Sequence, residues 1–440
     1  MELEKLVEQN PWWHDINWVQ KDRQFILLNK MTKKYDRSDY IELKEGVIIF
    51  YGPRQIGKTT WIKTKINELL KTTDPQDIFY LNAETQKDRF ELLESIKFVW
   101  GLYNPKYLFI DEINSITDWE ITIKVLIDSG TFETKYVLLT GSSSINILKK
   151  AERLPGRLAK GNFKTRYYSL NFREVLKLYN LNPTNIKDAI SNLTKINNVF
   201  YKYLIHGGYI RAINDFEQKE KIEEDLFSIY SAWIDGEISK DNKSSELTTN
   251  ILDGIVNTLT NDTSWGAITT VATHPTIQCY SETLKNMFVI EFLEKSRRSL
   301  TGAPKNKKIY FMDPFLYWLT LFKSRKINFV NITNLDSQII GKLAEQSFFT
   351  NILQYLDTKL KENDFDIRRY LFYEKGRSGE TDFVLKLKNK SYFLEIKFRN
   401  NFKEKDGIIY LTKDKLDKNK LPLAIFLIFP EECLKLIEKN

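Results

Sequence analysis

A loop of small and basic residues that follows an apolar stretch is the part of this sequence best suited to hold phosphate groups. It reads GPRQIGKT and matches G-x-x-x-x-G-K-[ST] without a gap. Glycine allows the torsions that turn loop N–H groups toward a phosphate, and the following helix adds partial positive charge. We predict that ATP binds through Gly52, Pro53, Arg54, Gln55, Ile56, Gly57, Lys58, Thr59 and Thr60. Lys58 would neutralise β- and γ-phosphate oxygens, and the Thr59 hydroxyl would bind Mg²⁺.

A second apolar stretch ends in two acids. Residues 107–112 read YLFIDE, which predicts a buried strand with Asp111 at its end. Asp111 is placed to hold Mg²⁺, directly or through water, and Glu112 to orient and deprotonate the attacking water. An Asp-Glu pair downstream of a phosphate loop indicates hydrolysis of ATP rather than simple nucleotide binding.

Two further positions are candidates for contacts with the γ-phosphate. The stretch YVLLT at 136–140 predicts a strand, and Thr140 or Ser142 at its end would sense the γ-phosphate, unless these residues only cap a helix. Arg157, or else Arg153, would reach the γ-phosphate of a neighbouring subunit and stabilise the transition state. The alternative is that either arginine is an ordinary surface residue.

A second set of polar residues lies near the C-terminus. Asp382 falls on one predicted strand, and Glu395 and Lys397 fall on a return strand after a turn at Asn389-Lys390, which would place Asp382 opposite Lys397. Glu345 lies on a preceding helix. The carboxylates would bind a second divalent metal, and Lys397 would position water or stabilise a phosphodiester transition state. The alternative is a cross-strand salt bridge in a domain that docks without cutting.

These residues need a scaffold in which parallel strands end at one edge. Apolar stretches at 47–50, 78–81, 107–111 and 136–140, with a fifth strand at 166–170, predict such a sheet. A helix begins after the phosphate loop. The fold class is therefore α/β, with a P-loop core.

The middle of the chain predicts two helical modules. Helices at 171–179 and 197–213 would form a lid over the nucleotide, with Arg211 as a candidate second sensor and Gly207-Gly208 allowing close helix packing. Helices at 247–259, 264–270 and 277–286 precede two strands at 288–295 and 309–313, the order of a winged helix. The wing cations Arg297, Arg298, Lys305, Lys307 and Lys308 would contact DNA phosphates, or else remain solvated in a module that only bridges domains.

Five segments occur in a characteristic order: NPWW at 10–13, GPRQIGKTT at 52–60, LFIDEI at 108–113, LLTGSSS at 138–144 and GR at 156–157. Together they resemble the archaeal-type P-loop ATPases of the AAA+ superfamily, which implies ATP binding and hydrolysis. Related chains carry a nuclease-like C-terminal domain, and the pattern of Glu345, Asp382, Glu395 and Lys397 resembles the restriction-endonuclease-like PD-(D/E)XK fold. The predicted domains are the AAA+ core at 1–170, the helical lid at 171–244, the winged helix at 245–325 and the endonuclease-like domain at 335–440.

Composition limits the setting and the partners. The 440 residues carry a net charge of +8, concentrated in the last quarter, which permits nucleic-acid contact. The acidic N-terminus lacks the apolar segment of a signal peptide, no apolar run is long enough to span a membrane, and two distant cysteines fit a reducing compartment. We expect a cytoplasmic protein without membrane contact.

The leading functional prediction is Mg²⁺-dependent ATP hydrolysis coupled to DNA binding, remodelling or cleavage. The alternative is a signalling or assembly switch set by the nucleotide state, in which the nuclease-like domain only docks partners. A helicase is a third and weaker interpretation, because no further helicase motif is present. A trans-acting Arg157 would require a homo-oligomer.

Overall fold

The computed structural model describes residues 3–142, 147, 150, 154, 158–161, 163–296, 306–327, 335–376, 379–388, 390–398 and 402–439. The chain divides into two compact units. The first comprises Met1–Tyr168, Asn286–Phe288 and Lys361–Asp364, and the second comprises Ser169–Lys285, Val289–Leu360 and Phe365–Asn440. The segments predicted as lid, winged helix and endonuclease-like domain thus fall almost wholly within the second unit, and their individual boundaries stay predictions.

A parallel five-stranded sheet forms the centre of the first unit. Its strands are β1 (Gly46–Tyr51), β2 (Ile78–Asn82), β3 (Tyr107–Asp111), β4 (Tyr136–Gly141) and β5 (Lys164–Arg166), in the spatial order β2-β3-β4-β1-β5. The helices are α1 (Leu3–Gln9), α2 (Trp18–Lys21), α3 (Arg23–Lys30), α4 (Lys58–Leu69), α5 (Arg89–Leu102) and α6 (Trp119–Asp128). The predicted α/β core is confirmed, and the carboxyl ends of β1, β3 and β4 lie side by side.

Apolar side chains cover both faces of this sheet. Val47 and Ile49 of β1 belong to one buried cluster, and Ile48 and Phe50 belong to another, as the two-residue period of a strand requires. Helix α5 packs in the first cluster and α4 in the second. A strand that is buried on both faces consists of a continuous run of apolar residues, so these strands could be predicted from the sequence.

The fifth strand lies earlier than the sequence predicts. We predicted residues 166–170, whereas β5 ends at Arg166, where it pairs with Tyr51. Tyr167 still donates its N–H to the Tyr51 carbonyl at 2.7 Å, and its ring packs on Phe50. The aromatic residues after Arg166 are therefore buried by side-chain packing beyond the end of the ladder.

The edge strand β2 is covered by the N-terminal segment. Asn10 pairs with the backbone of Tyr80 through both groups of its amide, at 2.7 and 2.9 Å, as a neighbouring strand would. The indole N–H groups of Trp12 and Trp13 both donate to the Ile78 carbonyl, at 3.2 and 3.0 Å. These bonds satisfy backbone groups that an open edge would leave exposed, so the NPWW segment has a structural task.

Helices and one hairpin form most of the second unit up to residue 325. The helices are α7 (Phe172–Leu178), α8 (Ile186–Ser191), α9 (Leu193–His206), α10 (Ile210–Lys219), α11 (Glu224–Lys240), α12 (Ser245–Thr258), α13 (Trp265–Ile268), α14 (His274–Asn286) and α15 (Pro314–Arg325). The strands β6 (Ile290–Glu294) and β7 (Lys307–Phe311) pair antiparallel. Three helices before a two-stranded ribbon match the predicted element order, while the name winged helix stays a prediction.

The helical segment predicted over 197–213 breaks in two at Gly207-Gly208. Gly207 has a φ of 59°, and a Cβ there would lie 1.6 Å from Asp313 Oδ1. A Cβ on Gly208 would lie 2.0 Å from the Leu170 carbonyl oxygen. The glycine pair therefore ends α9 and lets the chain approach the start of α15 closely.

A long helix and a mixed sheet form the C-terminal part of the second unit. The helices are α16 (Ser337–Leu360), α17 (Leu423–Ile428) and α18 (Pro430–Lys439), and the strands are β8 (Leu371–Gly376), β9 (Gly379–Leu387), β10 (Lys390–Lys397), β11 (Ile408–Thr412) and β12 (Lys420–Pro422). The order is β12-β11-β10-β9-β8. Even α16, with 24 residues, is not apolar enough to cross a bilayer, nor is any other helix in the described ranges.

The hairpin register differs from the prediction by two residues. Lys390 pairs with Leu387 and Leu394 with Phe383, a register that continues to Asp382 opposite Glu395 rather than Lys397. The turn begins earlier because Lys388 takes the left-handed conformation, with a φ of 45°. Since an even shift leaves side chains on the same face, Asp382 still meets both Glu395 and Lys397.

Candidate functional site

The loop between β1 and α4 wraps around the ammonium group of Lys58. This side chain is 4% exposed, and its Nζ donates to the carbonyls of Gly52 and Pro53, both at 2.9 Å. Gly57 has a φ of 102°, a conformation that favours glycine. Burial lowers the pKa of Lys58, and the carboxylates of Glu112 and Asp111 oppose that shift. The loop thus presents a buried cation at the carboxyl edge of the sheet.

Three hydroxyl groups converge on the carboxylate of Asp111. Thr59 Oγ1 donates to Oδ2 at 2.6 Å, Tyr80 OH donates to the same oxygen at 3.2 Å, and Thr140 Oγ1 donates to Oδ1. Burial raises the pKa of Tyr80, and the charge of Asp111 adds to that rise, so the phenol keeps its proton. Thr59 and Asp111, the two predicted Mg²⁺ ligands, are therefore in direct contact.

Glu112 lies just beyond the strand in a left-handed conformation, with a φ of 51°. Its N–H donates to Thr140 Oγ1 at 3.0 Å, and its Oε1 lies 3.8 Å from Lys58 Nζ. Within the described part of the chain, the buried Oε2 has no hydrogen-bond partner. An unpaired buried carboxylate oxygen next to the phosphate loop is placed to accept a proton from a small donor such as water.

Arg54 connects the phosphate loop to two neighbouring segments. Its Nε donates to Ser142 Oγ at 3.2 Å, and its Nη2 donates to Glu84 Oε1 at 3.2 Å. The N–H of Ser142 donates to Asn114 Oδ1 at 3.1 Å. Of the two predicted γ-phosphate sensors, Ser142 thus contacts the loop arginine, whereas Thr140 contacts the two acids.

The geometry of the nucleotide-binding candidates does not test the roles predicted for the arginines. Arg157 and Arg153 fall outside the described residues, as do the wing residues Arg297, Arg298 and Lys305. Arg211 lies in α10 of the second unit. The roles of all these residues stay predictions.

A carboxylate centre forms at the ends of β9 and β10 in the second unit. Lys397 Nζ lies 3.0 Å from Glu395 Oε2 and 3.9 Å from Asp382 Oδ2. Asp382 Oδ2 also accepts the N–H of Ile396 at 2.9 Å, and Lys405 Nζ lies 3.4 Å from Glu395 Oε1. The structure therefore brings Asp382, Glu395 and Lys397 together, as the sequence suggested.

Lys308 occupies the other side of this centre. Its Nζ lies 2.8 Å from Glu380 Oε1, 3.1 Å from Glu345 Oε1 and 3.4 Å from Asp382 Oδ1. Tyr310 OH donates to the same Glu345 oxygen at 2.6 Å. Burial lowers the pKa of Lys308, but the three carboxylates more than offset this effect, so its pKa is raised and it stays charged. Burial raises the pKa of Glu345 to about 7, against the attraction of Lys308.

These contacts correct the prediction for the wing. Lys308 is fully buried, and Lys307 Nζ lies 3.5 Å from the ring centroid of Trp265, where its charge faces an aromatic surface. Strand β7 begins at Lys307, so both lysines belong to the packed hairpin rather than to an exposed loop. In the described ranges, no three His, Cys, Asp or Glu side chains are arranged to hold a metal ion, and a metal role for Glu345, Asp382 and Glu395 stays a proposal.

Sequence reasoning gave no site role to Tyr80 or Glu380, and it assigned Lys308 to a DNA-contacting wing rather than to the carboxylate centre. Tyr80 lies in a strand whose apolar neighbours give no signal for a polar task. Glu380 directly precedes the Thr-Asp pair of β9, and nothing in this local pattern marks it as part of a site. The only sequence signal that Lys308 is buried is its position directly before the apolar run IYF.

Two family models match this chain. Residues 44–176 match an AAA domain, and residues 197–326 match a domain of unknown function, DUF8612. The first range contains the phosphate loop, both acids and Thr140. The similarity to an AAA domain therefore covers the part of the chain that carries the candidate site.

Similar proteins include two from Methanocaldococcus jannaschii. The uncharacterized protein MJ1544 is 28% identical over 417 residues, which cover 90% of this chain and 86% of the relative. The uncharacterized protein MJ1637 is 27% identical over 171 residues, 35% of this chain and 34% of the relative. The chain thus spans about a third of the second relative.

Two solved structures have partly similar folds. The Aeropyrum pernix ORC1 protein in complex with DNA has 11% identity and a TM-score of 0.30, over 66% of this chain and 89% of that chain. A RuvB variant of Thermotoga maritima has 15% identity and a TM-score of 0.30, over 65% of this chain and 91% of that chain. At these TM-scores the likeness carries no argument about function.

Proposed function

We propose, from the AAA domain at residues 44–176, that this chain binds ATP with Mg²⁺ and hydrolyses it. One observation carries the proposal: the loop cation Lys58, the hydroxyl of Thr59 and the two acids meet at one edge of the sheet, with Glu112 Oε2 buried and without a partner in the described residues. A cation and a hydroxyl–carboxylate pair suit a triphosphate and its metal ion. The residues present fit both groups.

Each side chain has a role that its position supports. Lys58 would exchange its bonds to the Gly52 and Pro53 carbonyls for phosphate oxygens. Thr59 and Asp111 would hold Mg²⁺, which neutralises charge on the phosphate oxygens. Glu112 would orient the attacking water and accept its proton through Oε2. Arg157 of a neighbouring copy is the proposed source of a further positive charge, which makes a homo-oligomer part of the proposal.

The first test compares Glu112→Gln with the wild type. Glutamine keeps the size of the side chain but is a poor base, so ATP turnover should fall at least ~100-fold while ATP still binds. The measurements are steady-state phosphate release and the ATP-induced shift in the thermal midpoint. Lys58→Ala is the control for binding and should lose both signals. Turnover at the wild-type rate in Glu112→Gln would show that another group activates the water.

Coupling of ATP turnover to DNA binding, remodelling or cleavage is the finer part of this proposal. The basic excess and the endonuclease-like pattern of Asp382, Glu395 and Lys397 support it. The test measures ATP turnover with and without DNA, and runs the DNA on a gel after incubation with Mg²⁺. DNA-stimulated turnover, with cleavage lost in Asp382→Ala, is the expected result.

A nucleotide-controlled assembly switch is the second candidate function. It is favoured by the position of Lys308, whose ammonium already neutralises the carboxylates that would bind a metal ion. In this case ATP would change the oligomeric state, measured by light scattering, while DNA would change neither turnover nor assembly. The wild type would leave plasmid intact in Mg²⁺.

A further inference from the structure

Lys308 is a cation removed from water. Lys308 is fully buried and belongs to β7, where it pairs with Leu293 of β6. Burying an ammonium group costs several kcal/mol unless charged partners compensate for the lost water. The side chain must therefore be understood through the groups around it.

Those groups are three carboxylates from two other elements. Glu345 comes from α16, and Glu380 and Asp382 come from β9, with oxygens 2.8–3.4 Å from Nζ. Lys375 Nζ lies 3.7 Å from Glu380 Oε2, so an outer carboxylate oxygen has a lysine partner as well. A simple structural salt bridge needs only one carboxylate. Hard divalent cations, in contrast, prefer to be surrounded by several carboxylate oxygens.

Other lysines contact the carboxylate oxygens of the centre that face away from Lys308. Asp382 divides its oxygens, since Oδ1 faces Lys308 and Oδ2 faces Lys397. Glu395 contacts both Lys397 and Lys405. Lys405 also lines an open cavity of about 320 Å³, together with Thr381 of β9.

We propose that Lys308 is an internal cation that takes the place of a divalent metal ion and keeps the carboxylate centre closed. When the ammonium group leaves, Glu345, Glu380 and Asp382 become a site for a hard cation such as Mg²⁺ or Mn²⁺. This inference concerns the second unit and does not depend on ATP hydrolysis in the first.

The hairpin that carries Lys308 is docked by further bonds. Ser296, just after β6, donates its N–H to the Tyr373 carbonyl at 2.8 Å, and Tyr373 OH donates to Asp262 at 2.7 Å. Strand β6 therefore lies beside β8, and the docked β6–β7 hairpin holds Lys308 against the carboxylates. Undocking of β6–β7 would open the centre, which makes this contact autoinhibitory for any metal-dependent activity there.

The experiment counts Mn²⁺ bound per chain by electron paramagnetic resonance in nucleotide-free protein. Lys308→Met keeps the length and apolar stem of the side chain but removes its charge. We expect this variant to bind one Mn²⁺ per chain more than the wild type, and to gain a Mn²⁺-dependent rise in thermal midpoint. No additional Mn²⁺ in Lys308→Met would overturn the proposal.

Two further variants make the result specific. Lys307→Met is the matched control, because it removes the neighbouring charge from Trp265 without touching a carboxylate of this centre, and should gain no Mn²⁺. Lys308→Met combined with Glu345→Gln removes a proposed ligand and should lose the gained ion; a gain that survives would overturn the assignment. If Lys308→Met does not fold alone, refolding in Mn²⁺ should recover it, and equal failure in Mn²⁺ and EDTA would count against the proposal.

Discussion

Asp111 and Glu112 show how single residues divide the roles in the proposed nucleotide site. Thr140 donates to Asp111 and accepts the N–H of Glu112, so one hydroxyl orients both acids. The left-handed conformation of Glu112 costs on the order of 1 kcal/mol for a non-glycine residue, and it persists because such bonds hold it. Thr140 is therefore better described as a positioning residue for the acids than as a phosphate ligand, and this role is a prediction.

Substitution of Thr140 tests this at the residue scale. Thr140→Val keeps the shape but removes the hydroxyl, and the lost bond to a charged group should reduce kcat about tenfold or more, with little change in KM. Thr140→Ser keeps the hydroxyl and should retain most of the turnover. Steady-state ATPase kinetics make the comparison. A valine variant with unchanged kcat, or a serine variant as slow as valine, would remove Thr140 from this role.

At the scale of elements, the phosphate loop depends on how closely β1 approaches the chain after β5. A Cβ on Gly52 would lie 2.3 Å from the Tyr167 carbonyl oxygen, a backbone atom that cannot move aside alone. Tertiary packing therefore requires glycine here, in addition to the proposed binding of phosphate. Residues of the motif were predictable from sequence, but this second reason was not.

The corresponding prediction concerns stability in the absence of nucleotide. Gly52→Ala should lower the free energy of unfolding of the first unit by about 1–3 kcal/mol, because the loop and the Tyr167 backbone must separate. Gly101→Ala is the control, since a Cβ within α5 at that position meets nothing within 4 Å and should be neutral or slightly stabilising. Urea unfolding of the two variants makes the measurement. Equal stability of both would indicate that the loop relaxes freely.

At the scale of the whole molecule, buried titratable groups set the response to acid. His206 at the end of α9 is fully buried, next to Tyr179, Lys202, Glu217 and the Gly207 carbonyl. Burial lowers its pKa from 6.5 to about 4, while the Gly207 carbonyl and Glu217 oppose the shift. Because the folded state binds this proton less tightly than the unfolded chain, His206 stabilises the fold above pH 6.5 and loses that contribution as the pH falls toward 4.

We therefore expect acid to destabilise the second unit through His206. Across this window the wild type should lose about 3 kcal/mol more than His206→Gln, which cannot take up the proton. The comparison between variants is needed because burial raises the pKa of Asp313 to about 6, which has the opposite effect on stability in the same range. Urea midpoints at pH 7 and pH 4.5 give the measurement. Equal acid losses in both proteins would mean that His206 does not titrate in this way.

The sequence by itself determined the parallel sheet, the phosphate loop and the pair Asp111-Glu112. Each of these depends on interactions within a few residues, and the carboxyl ends of parallel strands necessarily share an edge. The proximity of Asp382, Glu395 and Lys397 was also accessible, because the two-residue period of a hairpin survives an even error in register.

Only the tertiary structure decided the partners of Thr140, the hairpin register and the position of Lys308. Adjacent lysines at 307 and 308 look alike in the sequence, yet one faces Trp265 and the other faces three carboxylates up to 74 residues away. Strand β7 is buried on both faces, so no alternation of polar and apolar residues marks which lysine points inward. Long-range packing decides which partner each buried charged side chain contacts, and the local sequence pattern does not reveal these contacts.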